Sequence, residues 1–139
     1  MKTTLTKRMT FSAGHRIFNP EFSDEKNRDI FGDCANPNGH GHNYVLEVTV
    51  TGDIDKETGM IINLKQLKHV IETEIISKVD HKNLNTDVEF MRGVIPTTEN
   101  LAQKIWEILD HSLGGNLLDK IVIRESENNK IEISRQAGG

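Results

Sequence analysis

Two stretches of this chain alternate with a two-residue period, and each puts histidine at one end of its apolar face. From Leu5 to His15 the odd positions are Leu5, Lys7, Met9, Phe11, Ala13 and His15, separated by Thr6, Arg8, Thr10 and Ser12. From about Gly41 to Thr51 the even positions are His42, Tyr44, Leu46, Val48 and Val50. This is the period of half-buried strands, in which residues two apart point to the same side. A strand of that kind needs a partner strand and an apolar cover. The chain is therefore constrained to a sheet with one face on a core.

The remaining segments can supply both. Asp53 to Gly59 reads as a turn, and Met60, Ile61 and Ile62 as a short strand end. Asn63 can cap a helix with the stripe Leu64, Leu67, Ile71, Ile75 and Val79. Thr97 or Thr98 starts a second helix, with Glu99 in its dipole-favoured first turn, the stripe Leu101, Ile105, Ile108 and Leu109, and Gly114-Gly115 at its end. Ile121, Ile123 and Glu125 share one strand face, Ser126 to Asn129 make a turn, and Ile131 and Ile133 return. Asn19 to Gly39 and Asp80 to Pro96 read as loops; the first is rich in Asn, Asp, Pro and Gly. Segregated strands and helices predict an α+β fold, a four-stranded antiparallel sheet with two helices on one face. With no repeat, linker or low-complexity stretch, residues 1–139 read as a single domain.

Charge and cysteine content narrow the function. The 17 Lys and Arg against 21 Asp and Glu leave a net charge of −4, which disfavours general nucleic-acid binding. No apolar run approaches the ~18 residues that span a bilayer, and the first ten residues hold no signal-like apolar stretch, so no membrane association is expected. One cysteine, Cys34, cannot form an intrachain disulfide. A reducing cytoplasm is the expected location.

The histidines carry the clearest chemistry. His40 and His42 share one side of a strand, and His15 ends the apolar face of the other. If the strands pair, three imidazoles converge at one end of the sheet, where neutral nitrogen suits zinc and leaves a position open. Cys34, in the preceding loop, could be a fourth ligand closing a structural site, a thiolate base, or an inert small hydrophobe. Asp80-His81 could form a proton relay, or could simply be a polar helix terminus. Glu125 lies in register with Ile121 and Ile123. It either extends beyond the covered part of its strand or binds two parallel N–H donors, such as the edge of a pterin or guanine. His69 and His111 carry no evident role.

Ser12-Ala13-Gly14-His15-Arg16, Cys34 through Asn38-Gly39-His40-Gly41-His42-Asn43-Tyr44, Gly59-Met60, Asp80-His81-Lys82-Asn83-Leu84, Thr97-Thr98-Glu99-Asn100 and Glu125 occur in one order. Together, from about Phe11 to Ile133, they resemble the 6-pyruvoyl-tetrahydropterin synthase family. The resemblance implies the tunnelling fold, whose trimers close a twelve-stranded barrel and stack as a homohexamer with active sites at subunit contacts. It implies Zn2+ on His15, His40 and His42, Cys34 as proton-abstracting base, and Asp80 and His81 as its relay from a neighbouring subunit. Glu125 would anchor a small-molecule pterin, assisted by Thr97, Thr98 and Glu99.

The implied reaction converts 7,8-dihydroneopterin triphosphate to 6-pyruvoyl-tetrahydropterin with loss of triphosphate. Arg16, Lys26, Arg28 and Lys82 are candidates for holding that group. A close relative, 6-carboxy-tetrahydropterin synthase of queuosine biosynthesis, usually has three residues between its cysteine and the HxH pair, against five here. A third relative uses glutamate near the cysteine position, and no glutamate lies between Gly32 and His42. A non-catalytic zinc-binding scaffold is the alternative of another class; it expects Cys34 to ligate the metal.

Overall fold

Strands β1 (Thr4–His15) and β2 (His40–Thr51) form the longest ladder in a computed structural model that describes residues 1–136. They pair antiparallel without a break, from Thr4 opposite Thr51 to His15 opposite His40. Along β1 the odd side chains turn inward, and burial deepens from half-buried Leu5 to buried Phe11, Ala13 and His15. Gly39 makes the tight entry to β2 possible. Its φ is +70°, and a Cβ there would lie 2.8 Å from the His15 carbonyl oxygen, so only glycine fits.

The covering layer is helical. Helix α1 (Asp24–Phe31) lies apart from it, between β1 and β2 in sequence. Helix α2 (Leu64–Ile71) passes through a π turn (Glu72–Ile76) into α3 (Ser77–Val79), and α4 (Thr98–Leu113) follows. Leu67, Ile71, Ile75 and Val79 are fully buried at strict four-residue spacing. A turn of 3.6 residues would rotate that stripe off the core, and the wider π turn takes up the lag. From α4, Leu101, Ala102, Ile105 and Leu109 join the same core. Leu64, expected in the stripe, is instead exposed; as the first helical residue it lies outside the covered stretch.

The sheet has five strands rather than four, in the order β3-β1-β2-β4-β5, with β3 (Lys82–Asn83), β4 (Leu118–Arg124) and β5 (Lys130–Ser134). β3 pairs parallel with β1 at Ala13 and Gly14, making the sheet mixed. Two residues carry no periodicity, so sequence pattern could not reveal them. The other pairings are antiparallel.

Two further expectations are corrected. Helix α1 occupies the stretch read as a loop; it has no apolar stripe, and its one buried residue is Asn27. Its signal was a cap: Ser23 accepts from the Lys26 N–H, followed by Asp24 and Glu25 in the first turn. Met60 to Ile62 form no strand; Ile61 and Ile62 pack against the core edge instead. Among the described residues, no helix is long and apolar enough to cross a membrane.

Candidate active site

Strand register builds the site. His15 faces His40 directly, and His42 faces the small Ala13, so three imidazoles meet on the helix-covered face. One ring nitrogen from each lies within 4.8 Å of those from the other two. His15 Nε2 is 3.2 Å from His40 Nε2, while His15 Nδ1 is 2.8 Å from the Pro96 carbonyl oxygen. A carbonyl can only accept, so Nδ1 carries the proton and Nε2 is left free to ligate. Burial holds the His15 imidazolium form down, against the raising influence of the Pro96 carbonyl. Burial likewise lowers His42, opposed by Glu125. Three histidines with converging nitrogens fit a metal such as zinc.

Cys34 is not part of that cluster. It lies half-buried in the 3-10 turn Gly32–Ala35, with its carbonyl accepting from the Ile17 N–H at 2.8 Å. Arg16 reinforces this position: its Nε donates to the Ala35 carbonyl at 2.8 Å, and its guanidinium lies 4.0 Å from the Phe18 ring centre. The cysteine turn is thereby tied to the residues just after His15. Arg16 also lines a cleft of ≈ 420 Å³ with Asn83 and Asn85. Lys26 and Arg28 are exposed on α1, and Lys82 is exposed beside His81.

Glu125 follows β4 directly. Its Oε1 is 3.0 Å from His42 Nε2 but outside hydrogen-bonding geometry, because that nitrogen has no hydrogen-bond partner. Its Oε2 accepts from Thr98 Oγ1 at 2.5 Å. Thr98, Glu99 and Glu125 line a pocket of ≈ 500 Å³ together with Asn128, Asn129 and Lys130. Those last three residues were not anticipated from sequence: Asn128 and Asn129 lie in the turn, which gives no face, and Lys130 opens β5. Thr97 serves the helix instead: its hydroxyl caps α4 by accepting from the Asn100 N–H at 3.2 Å.

Asp80 and His81 do come together, with Oδ1 and Nδ1 3.0 Å apart, but at the outer edge of β1. Asp80 accepts from the Ser12 N–H, which holds its carboxyl below the ordinary range. His81 adopts a left-handed φ of 60° while its own N–H bonds the Ser12 carbonyl. It lines a shallow cleft with Ser12, Asn43 and Lys82.

A model of the 6-pyruvoyl tetrahydropterin synthase family matches residues 4–136. The 6-pyruvoyl tetrahydrobiopterin synthase of Homo sapiens is 47% identical over 125 residues, covering 90% of this chain and 86% of that protein. Its counterpart from Drosophila melanogaster is 48% identical over 128 residues, covering 91% and 76%. The solved structure of Caenorhabditis elegans 6-pyruvoyl tetrahydropterin synthase superposes with a TM-score of 0.89 at 37% identity, covering 98% and 97% of the two chains.

Proposed function

The chain belongs to the 6-pyruvoyl tetrahydropterin synthase family, and we propose that it converts 7,8-dihydroneopterin triphosphate to 6-pyruvoyl-tetrahydropterin and triphosphate. The observation that carries this reading is the convergence of three imidazoles beside a carboxylate that is aligned by Thr98. The two products contain every atom of the substrate, so hydrogens move internally and no external reductant is required.

His15, His40 and His42 hold Zn2+ in this reading. The metal supplies Lewis acidity toward the hydroxyls of the substrate side chain. Glu125 accepts two parallel N–H bonds from the pterin edge, a bidentate pairing that fixes the ring. Thr98 aligns the carboxylate, and Thr97 and Glu99 complete the start of α4 around it. Cys34, held by Ile17 and Arg16, removes a carbon-bound proton as thiolate. The Asp80-His81 pair relays protons, with the carboxylate orienting the imidazole.

The strand edges support the proposed assembly. β1 is covered by β3 only at Ala13 and Gly14, and β5 lies at the opposite edge. Three successive antiparallel pairings make β5 antiparallel to β1, so β5 of one copy can pair with β1 of the next. Closing three tunnelling-fold domains this way removes both edges, and two such trimers make the hexamer. A single cysteine suits work in a reducing cytoplasm.

Incubating the purified protein with 7,8-dihydroneopterin triphosphate and weighing the product by mass spectrometry tests the reaction. The pyruvoyl product is expected. A carboxy product, or no turnover by metal-loaded protein, overturns the reading.

A further inference from the structure

Tyr44 lies at the centre of the site, yet no role above uses its hydroxyl. The side chain is fully buried, with its ring stacked on Phe11 at 4.9 Å between centres. Its Oη has no hydrogen-bond partner. Phenylalanine would fill the same space without that cost, since a buried hydroxyl left unpaired is destabilising. Extending the β2–β4 register by one residue beyond the Val45–Arg124 pair places Tyr44 across from Glu125, on the same face. The polar groups that bear on the phenol are the Glu125 carboxylate and the Thr98 hydroxyl.

These three groups allow one direction of hydrogen bonding. An ionised Glu125 can only accept, and Thr98 spends its single proton on Oε2. The Thr98 oxygen therefore has lone pairs to offer, and Tyr44 has an unspent proton. We propose that Tyr44 is a positioning residue for the pterin-binding carboxylate, closing a donor chain from its hydroxyl through Thr98 Oγ1 to Glu125 Oε2 when a ligand engages Glu125. A pterin edge draws on both carboxylate oxygens at once. Thr98 must then hold the carboxylate in plane with the ligand, and a second donor behind Thr98 polarises and fixes its hydroxyl. This rests on the reading of Glu125 as the pterin anchor.

The experiment uses metal-loaded protein titrated with 7,8-dihydroneopterin by fluorescence. Tyr44→Phe is expected to weaken binding roughly tenfold, the scale of one lost hydrogen bond, with metal content retained and a melting temperature at or above the parent's. Thr98→Val should lose as much, and Thr98→Ser should recover it. In a Glu125→Gln background, Tyr44→Phe should add nothing. If Glu125→Gln weakens binding while Tyr44→Phe binds like the parent, the Tyr44 proposal falls and the pterin reading stands. Binding by Glu125→Gln equal to the parent's overturns the anchor itself. Should Tyr44→Phe lose metal or melt early, the Thr98 pair decides: equal binding by its Val and Ser variants overturns the chain.

Discussion

Two acid–imidazole pairs lie near the same end of the sheet, each with its atoms 3.0 Å apart, and they are built in opposite ways. In the inner pair, the His42 and Glu125 side chains are 21% and 29% exposed, on the helix-covered face. In the outer pair, His81 is 82% exposed and Asp80 37%, at an edge the chain does not cover. Burial holds the inner imidazole neutral, as a metal ligand must be. The outer one stands in water. The inner pair is enclosed by side chains of this chain; in the proposed assembly the outer pair would face a neighbouring subunit. Distance alone does not make a relay. The largest test strips the inner site: changing His15, His40 or His42 to Ala should remove nearly all bound metal and turnover. Metal analysis checks it, and full metal in all three variants would sink the assignment.

The next test addresses the exposed pair. Cys34→Ala should keep its metal and lose activity, because the thiol is not in the imidazole cluster. His81→Ala should be inactive for a different reason. Mixing the two by unfolding and refolding should restore a fraction of parental activity, since some contacts then pair an intact Cys34 with an intact Asp80-His81. Verified mixed oligomers without recovery would put the relay within one subunit and erase the contrast between the pairs. A smaller effect is expected at Glu125. Glu125→Gln keeps the shape but replaces one acceptor with an amide donor, so pterin affinity should fall by about 1.5–3 kcal/mol, with metal content unchanged. Calorimetric titration of a pterin against both proteins measures it.

What could be read in advance follows the same divide. The inner site rests on parity: Phe11, Ala13 and His15 on one strand, His42, Tyr44 and Leu46 on the other, and Glu125 after Ile121 and Ile123. A two-residue period transmits orientation along a strand, and antiparallel pairing brings the ends together. Sequence could not supply the Pro96 carbonyl that sets the His15 tautomer, because that contact spans 81 positions without a repeating pattern. The placement of Asp80-His81 beside Ser12 was equally illegible. It depends on β3, two residues long, and on a left-handed turn at a histidine rather than a glycine. Helix α1 was legible only through the Ser23 cap and its acidic first turn, since a helix that buries one asparagine has no hydrophobic period to read.

The smallest expected effect separates the two pairs along the pH axis in metal-free protein. Burial lowers His15 and His42 below their unfolded value of 6.5, so near and below that pH the unfolded chain binds protons that the folded chain refuses. Their contribution to stability is complete above pH 6.5 and is lost as pH falls through the lower folded values. Asp80 is lowered from 3.8 by the Ser12 N–H, so its contribution survives the first decline and is lost only in a more acidic window. Urea midpoints should therefore fall on acidification from about pH 7 to pH 5 in the parent, and less steeply in His42→Gln, which removes one titrating group of the inner pair. Asp80→Asn should leave that slope unchanged and alter only the acid end below about pH 4. A parent slope between pH 7 and 5 matched by His42→Gln but flattened by Asp80→Asn would reverse the comparison, assigning the proton-sensitive surroundings to the exposed pair.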